Sequence, residues 1–147
     1  MFTNFTRIID IKYKDGVIPI NIIPNGDWID LRCAEDTLLK AGEFKYIPLG
    51  VAMKIPEGFE AIVAPRSSTF AKYGVLQTNG IGIIDNSYCG DDDWWHFPAL
   101  AMRDTFIPKN DRICQFRILP NQMELYPHTV SSLNNENRGG LGSTGRN

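Results

Sequence analysis

Two stretches of the sequence carry side chains that could bind phosphate or activate water. In APRSSTF (64–70), Arg66 stands beside consecutive serines, and a guanidinium with neighbouring hydroxyls suits the oxygens of a phosphate group. In NGIGIIDNSYCG (79–90), Asp85 ends the apolar run GIGII, where a carboxylate is unusual unless it is paired or catalytic. Each stretch also fits an ordinary solvated turn, so neither predicts an activity by itself.

The sequence ends in a glycine-rich stretch, ENRGGLGSTGRN (136–147). Its residues Gly140, Gly142 and Gly145 have the G-x-G-x-x-G spacing of a phosphate cradle. That cradle works at the N-terminus of a helix, and with two residues after Gly145 we expect no helix there. Four glycines and few apolar side chains predict a mobile arm instead.

Other clusters of reactive residue types favour structural roles. The acidic stretch DDDWWHF (91–97) is expected to form a solvated loop, since it has no histidine or cysteine ligand at usable spacing for a metal. His96 and His128 each stand alone, which favours structural or surface roles. KNDRICQFRI (109–118) predicts a turn that enters a strand, with Gln115 on the face opposite to the preceding cysteine.

Composition predicts a single soluble domain. The chain has 147 residues, of which 43% are hydrophobic and 22% charged, and its net charge is −2. No global basic field draws it to nucleic acid or to an anionic membrane. The first residues lack the apolar stretch of a signal peptide, and three widely spaced cysteines favour a reduced, cytoplasmic setting.

The elements that position these residues are predicted to be short strands. Residues 9–14 alternate apolar and polar side chains, and residues 51–55 repeat the pattern of a half-buried strand. PEG (56–58) predicts a turn into a further strand, FEAIVA (59–64). One short helix is expected in TFAKYG (69–74), with the glycine as its C-terminal stop.

Taken together and in order, five stretches resemble the motifs of the homotrimeric dUTPases, the deoxyuridine triphosphate nucleotidohydrolases. The resemblance runs from about residue 26 to the end of the sequence. The third and fifth motifs are specific, and their combination with PRSS in this order is hard to reach by chance. The five stretches are GDWIDL (26–31), PRSS (65–68), NGIGIIDNSYCG (79–90), NDRICQ (110–115) and NRGGLGSTG (137–145).

The resemblance implies an all-β fold. The subunit is expected to be a distorted jelly-roll-like β-barrel over residues 1–135, and residues 136–147 a flexible arm that closes over a neighbouring active site. The implied homotrimer has three active sites at subunit interfaces, each assembled from three chains. The arm accounts for the glycine-rich ending, because glycine lets backbone N–H groups approach phosphate oxygens without a helix.

The implied reaction is attack of water on the α-phosphorus of dUTP, giving dUMP and pyrophosphate. This reaction limits uracil in DNA and supplies dUMP for thymidylate synthesis. By resemblance, Asp85 is the general base that activates the water. Ser67 donates to the phosphate oxygens and eases departure of pyrophosphate, and Gln115 contacts the α-phosphate.

The resemblance also assigns the substrate contacts. Tyr88 is expected to pack on the deoxyribose, where a ribose 2′-hydroxyl would clash. Asn79 and the backbone of residues 79–88 are expected to read uracil, and Arg138 to bind the γ-phosphate. The implied binding residues are Arg66, Ser68, Asn79, Gly82, Ile84, Tyr88, Arg138, Gly142, Ser143 and Thr144.

The implied cofactor is Mg²⁺, held mainly by the triphosphate, with Asp30 contributing indirectly through water. Departures from the common motifs bear on other roles. Asn110 stands where the fourth motif usually has glycine, and asparagine tolerates the left-handed conformation. Leu141 replaces the phenylalanine that stacks on uracil. In one branch of the family the lid comes from just after the third motif, where His96 is the lid candidate within the aromatic cluster 94–97.

Two other functions stay open from the sequence. A dCTP deaminase shares the fold and an R-S-S motif, but it needs a catalytic glutamate just past the third-motif region, where IDNSYCG has none. A non-catalytic nucleotide-binding regulator is the other alternative, although every expected polar catalytic position is filled. A protein regulator as a further partner also stays open.

Overall fold

Short strands account for most of the regular structure, as expected of a chain that carries nine prolines and thirteen glycines. The computed structural model describes residues 6–145, so the two ends of the predicted barrel and arm, 1–5 and 146–147, lie outside the described residues. The strands are β1 (Asp10–Tyr13), β2 (Ile29–Arg32), β3 (Thr37–Leu39), β4 (Phe44–Pro48), β5 (Val51–Lys54), β6 (Phe59–Pro65), β7 (Val75–Gln77), β8 (Gly82–Ile84), β9 (His96–Ala101), β10 (Thr105–Ile107) and β11 (Arg112–Pro120), and the helix is α1 (Thr69–Tyr73).

The strands of the described residues pair antiparallel in four sheets. The largest has the order β2-β11-β6-β8, and the second has the order β4-β9-β7. Two further pairs, β1-β5 and β10-β3, complete the set. Antiparallel sheets with one protected face are the expected product of alternating sequence patterns. The prediction of an all-β fold is confirmed.

The core lies between the two larger sheets and is built on aromatic side chains. Trp95, Phe97 and Phe116 are fully buried, and the Trp95 and Phe116 rings meet edge to face at 5.4 Å between centroids. Burying a side chain of this size stabilises the fold by about 1.5–3 kcal/mol. These three residues, with the branched aliphatic residues around them, hold the sheets that carry the candidate site.

Helical structure in the described residues is limited to α1, whose range Thr69–Tyr73 agrees with the helix predicted in residues 69–74. Gly74 ends the helix in the left-handed conformation (φ 64°), and its N–H donates to the Phe70 carbonyl. A glycine adopts this conformation without a steric penalty. No helix within residues 6–145 has the length and apolarity that a membrane span requires.

The strand pattern predicted for residues 51–55 holds except at one position. Val51, Met53 and Ile55 are buried and Lys54 is exposed, but Ala52 is buried as well. Residues 89–91 line the same cavity as Ala52, and the Lys12 ammonium on β1 donates to the Asp91 carbonyl at 3.1 Å.

Candidate active site

The register of the largest sheet brings three separate parts of the sequence together. Asp30 on β2 lies opposite Gln115 on β11, and Gln115 lies opposite Ala64 on β6. The Gln115 Nε2 donates to the Pro65 carbonyl at 3.0 Å, at the point where β6 ends. The predicted first, second and fourth motifs thus meet at one end of β6.

Two guanidinium groups share the Asp30 carboxylate. Arg66 Nε lies 3.2 Å from Asp30 Oδ1, and Arg112 Nη1 lies 3.4 Å from Asp30 Oδ2. The three side chains are partly exposed, so each ion pair is worth less than a buried one. Two cations against one anion leave an excess of positive charge at this end of the strand.

A cleft of about 270 Å³ opens beside this cluster. Its carboxylate, Asp111, is already engaged by the Tyr73 hydroxyl, which donates to Oδ2, and by the Lys72 ammonium at 3.8 Å. Four cationic side chains therefore face two carboxylates that are both paired, which suits a polyanionic ligand. The residues that line the cleft are Arg32, Arg66, Lys72, Asn110, Asp111 and Arg112.

The PRSS turn is fixed from below by a residue that the sequence analysis did not single out. Thr69 is buried, and its Oγ1 accepts from the Arg66 N–H at 3.0 Å while donating to the Ile113 carbonyl at 2.8 Å. The Ser67 and Ser68 side chains point to solvent and make no hydrogen bond within residues 6–145. The turn therefore holds its backbone rigidly and leaves two hydroxyls available to a ligand.

Asn110 enters β11 with the backbone that was expected of it. Its φ is 71°, the left-handed conformation that asparagine tolerates. Its side chain also joins distant loops, since Oδ1 accepts from the Ile18 N–H at 3.0 Å and Nδ2 donates to the Gly16 carbonyl at 3.0 Å. The replacement of glycine thus preserves the turn.

The third motif begins in the turn that joins β7 to β8, two strands that belong to different sheets. Gly80 N–H donates to the Gln77 carbonyl at 3.1 Å, which closes the turn that carries Asn79. Gly82 lies opposite Val63 on β6, and a Cβ on Gly82 would lie 3.3 Å from the Val63 Cβ. A side chain there would press β8 away from β6, so the position favours glycine.

Asp85 lies in a different setting from the one predicted. The sequence suggested a carboxylate at the end of a buried strand, but Ile83 on β8 is 56% exposed and Asp85 itself is exposed. Asp85 Oδ2 accepts from the Ser87 hydroxyl and from the Ser87 N–H at 3.0 Å. These hydrogen bonds hold the pKa of Asp85 below its usual range, so the side chain is a carboxylate at neutral pH.

Tyr88 is held by both its backbone and its side chain. Its N–H donates to the Asp85 carbonyl at 3.0 Å, and its hydroxyl donates to the Trp94 carbonyl at 2.9 Å. Partial burial raises the pKa of the Tyr88 hydroxyl, so the phenol stays protonated as that donor. The ring is therefore fixed in place next to Asp85 while one side remains exposed.

Within one chain, Asp85 and Tyr88 of the third motif lie far from the cationic cluster around Asp30 and Gln115. Ile84 lies opposite Ala61 and Gln115 opposite Ala64, on the two sides of β6. Extending the register puts Asp85 beside Glu60, about 13 Å along β6 and about 10 Å across it from Gln115. The separation is about 16 Å, which is too far for one bound phosphorus atom to contact both.

The glycine-rich arm forms turns and has no helix in its described part. Ser143 N–H donates to the Gly140 carbonyl at 3.1 Å, and Gly142, Ser143 and Thr144 are exposed. The hydrogen bonds found for residues 136–145 stay within that stretch. Arg138 in this arm is likewise exposed and lies outside both clusters.

The aromatic cluster 94–97 is divided by the alternation of β9. Trp95 and Phe97 belong to the core, so neither is exposed to cover a nucleotide. His96 is exposed beside the Tyr46 ring, at 6.4 Å between centroids, and stays a lid candidate. Trp94 lies outside the core and is covered by the Lys14 ammonium, at 4.3 Å from its ring.

No group of three or more histidine, cysteine or acidic side chains in residues 6–145 is arranged to hold a metal ion. In the acidic stretch, Asp93 Oδ2 accepts from the Gly90 N–H at 2.8 Å. Within the cationic cluster, Asp30 pairs with two arginines and keeps 21% of its side chain exposed. Its carboxylate could accept a hydrogen bond from a metal-bound water, which fits an ion carried by the ligand rather than by the protein.

Comparison with known proteins agrees with this geometry. The dUTPase family model matches residues 28–145. The chain is 57% identical over 138 residues to the SPbeta prophage-derived deoxyuridine 5'-triphosphate nucleotidohydrolase YosS of Bacillus subtilis, covering 93% of this chain and 97% of that protein. It is 33% identical over 146 residues to the deoxyuridine 5'-triphosphate nucleotidohydrolase of Rickettsia prowazekii, covering 94% and 98%.

The fold is similar to that of solved dUTPases. A structure of the Staphylococcus bacteriophage 80alpha dUTPase G164S mutant with dUpNHpp superposes with a TM-score of 0.76 at 19% identity, covering 96% of this chain and 100% of that chain. At this identity the likeness concerns the fold, while the sequence match carries the family assignment. The chain is a member of the dUTPase family.

Proposed function

We propose that this enzyme hydrolyses dUTP to dUMP and pyrophosphate. The observation that carries the proposal is the presence, in one chain, of a β7–β8 turn with groups that can bind a base and a cationic cleft suited to a triphosphate. The 57% identity to a named dUTP nucleotidohydrolase supports the same substrate. Water attacks the α-phosphorus, a P–O bond forms, and the bond to the bridging oxygen breaks with pyrophosphate as the leaving group.

Asp85 is the proposed general base. Its carboxylate is exposed and ionised at neutral pH, so it can accept a proton from an attacking water. The Ser87 hydrogen bonds occupy Oδ2 and leave Oδ1 free to contact that water. Tyr88, fixed beside it, is proposed to pack on the deoxyribose and to exclude a 2′-hydroxyl.

The cationic end of β6 is proposed to bind the triphosphate. Arg66 lies in an excess of positive charge, and Ser67 and Ser68 offer free hydroxyls to phosphate oxygens. Gln115 uses one N–H of its Nε2 on the Pro65 carbonyl, which leaves the second N–H for the α-phosphate. Charge that develops on the departing pyrophosphate is stabilised there by donors that are already in place.

The base is proposed to be read at the third motif, in the turn before β8 and along β8. Asn79 and the backbone at Gly82 and Ile84 offer hydrogen-bonding groups for the edge of uracil. The Asn79 side chain is exposed and therefore available to a ligand.

We propose that the complete site is shared among chains of a homotrimer. The separation of about 16 Å between Asp85 and Gln115 supports this assembly, because a single nucleotide must contact both. Residues 136–147 are proposed to form the arm that reaches a neighbouring site. Arg138, Gly142, Ser143 and Thr144 would bring a guanidinium, hydroxyls and open backbone to the γ-phosphate.

Mg²⁺ is proposed to enter with the triphosphate, where it would neutralise phosphate charge. Asp30 is the residue that would hold it, through a bound water. The Asp30 oxygens already face Arg66 and Arg112, which supports an indirect contact over direct ligation. A solved structure of a mutant dUTPase from phage phi11 of S. aureus coordinates a structural Mg(II) ion, which is consistent with ion use in the family.

Measurement of pyrophosphate release from dUTP, dCTP and dTTP by the purified chain tests the function. We expect release from dUTP with a strong preference over the other two. Ammonia released from dCTP would support the deaminase alternative instead. Binding of dUTP without any pyrophosphate release would support the regulator.

A further inference from the structure

Gln77 is a buried amide outside the five motifs. It ends β7, only 8% of its surface is exposed, and its Nε2 donates to the Val63 carbonyl on β6 at 3.1 Å. Since β7 belongs to the sheet β4-β9-β7 and β6 to the largest sheet, this one side chain joins the two. It does so two residues before Asn79.

The orientation of the Gln77 amide is fixed by its partner. A backbone carbonyl can only accept, so Nε2 must face Val63 and Oε1 must point away. Oε1 is buried and has no hydrogen-bond partner within residues 6–145. A buried carbonyl oxygen without a donor is unfavourable, and such a group in a native fold requires an explanation.

Asn79 is the polar side chain placed to supply that donor. A Cβ built on Gly82 would lie 3.5 Å from Gln77 Nε2 and 3.8 Å from Asn79 Nδ2, so both amides flank the same glycine. The Gln77 carbonyl also closes the Asn79 turn, accepting from the Gly80 N–H at 3.1 Å. The backbone carbonyl and the side chain of Gln77 therefore both lie close to Asn79.

We propose that Gln77 is a positioning residue that sets base specificity through Asn79. When the base is bound, Gln77 Oε1 accepts a hydrogen bond from Asn79 Nδ2, and Asn79 Oδ1 then faces the base. Uracil has a donor at N3–H, whereas cytosine has an acceptor at N3, so an oriented Oδ1 selects uracil. This inference rests on the proposed function and adds a residue that orients Asn79, the side chain proposed to bind the base.

The test measures binding of the non-hydrolysable imido analogues of dUTP and dCTP to the full chain by calorimetry. For Gln77→Leu we expect binding of the dUTP analogue to weaken about 10-fold, since one hydrogen bond to the base is lost. Binding of the dCTP analogue should stay unchanged, so the preference for uracil falls by the same factor. With dUTP itself, KM should rise about 10-fold at nearly constant kcat.

Val75→Ala is the matched control, because Val75 is buried two residues earlier on the same face of β7 and lies outside the turn at residues 77–80. It should lower the thermal midpoint as Gln77→Leu does, yet leave the uracil preference intact. If Gln77→Leu does not fold, Gln77→Met keeps the length of the side chain and removes both polar atoms. Equal effects of both strand variants on the preference would overturn the inference.

A double-mutant cycle with Asn79→Ala gives the decisive result. If Gln77 acts through Asn79, the double variant should lose no more uracil preference than Asn79→Ala alone. Losses that multiply would show that Gln77 acts independently and would reject the inference. The wild-type turnover of dUTP tests the proposed function separately, since binding preferences are measured whether or not the analogue could be hydrolysed.

Discussion

Asp85 and Gln115 lie on opposite sides and towards opposite ends of the same strand, β6. The pairings Ile84–Ala61 and Gln115–Ala64 fix this arrangement, and the dimensions of an extended sheet put the two backbone positions about 16 Å apart. A residue proposed to activate water and a residue proposed to hold the α-phosphate must contact adjacent atoms. The proposed roles therefore require Asp85 of one chain to meet Gln115 of another.

Asp85→Asn should lower kcat by about 100-fold or more, the scale of losing a general base, while binding of the imido analogue of dUTP changes little. Single-turnover kinetics and calorimetry measure the two effects. Asp85→Ala is the companion variant, since it removes both the base and the Ser87 hydrogen bonds. If Asp85→Asn retains most of its turnover, another group must activate the water.

The pH dependence of the wild type follows from the same carboxylate. Its pKa is lowered by the Ser87 hydrogen bonds, so the active, ionised form persists below the usual carboxylate range and is lost only as pH falls through that lowered value. Ser87→Ala removes the hydroxyl donor and should move the acidic limb of kcat to higher pH. If the acidic limb of kcat does not move, the group that titrates in it is not Asp85.

Mixed trimers test the shared site. We expect neither Asp85→Asn chains nor chains that end at residue 135 to be active alone. Co-refolding the two should restore activity, because some sites then combine an intact Asp85 with an intact arm from a different chain. Sedimentation should give a mass near three times 16.6 kDa for the unmixed protein. A competent monomer would contradict the shared site.

Tyr88→Ala should narrow the preference for dUTP over UTP, because removing the ring opens space for a 2′-hydroxyl. Tyr88→Phe is the matched control: it keeps the ring and loses the hydrogen bond to the Trp94 carbonyl. The ratio of kcat/KM for the two nucleotides gives the result. Retention of the full preference in Tyr88→Ala would remove Tyr88 from sugar discrimination.

Asp30→Asn should raise KM for dUTP and weaken the dependence on added Mg²⁺. The variant removes the charge that pairs with Arg66 and Arg112 but keeps the shape of the side chain. A titration with Mg²⁺ after chelation, done for both proteins, separates the two roles. An unaltered Mg²⁺ dependence together with lower thermal stability would mean that Asp30 only forms ion pairs with Arg66 and Arg112.

The lid prediction compares two exposed side chains, Leu141 in the arm and His96 on β9. Leu141→Ala should change KM little, because leucine offers no ring to stack on uracil. His96→Ala should weaken nucleotide binding, and His96→Phe should strengthen it, since stacking of a base on an aromatic ring contributes about 1–3 kcal/mol. The reverse order of effects would place the closure in the arm.

Several local features of the candidate site could be predicted from the sequence because each lies within a contiguous stretch. PRSS, the Asp85 stretch and the turn at Asn110 each fold locally, and the left-handed φ of 71° at Asn110 follows from its residue type. Gly74 likewise ended the predicted helix. Local propensities and spacing favour such features, and distant hydrogen bonds such as Thr69–Ile113 and Asn110–Ile18 also hold them.

The tertiary structure alone decided which face each residue occupies and what it meets. Ala52 is buried although the pattern of its stretch predicts exposure, and within 94–97 the buried Trp95 and Phe97 alternate with Trp94 and His96. Thr69 and Gln77 hold the site through hydrogen bonds to residues 44 and 14 positions away. The distance between Asp85 and Gln115 also depends on strand register. Register and long-range burial arise from the whole fold, so the pattern of a single stretch of sequence does not determine them.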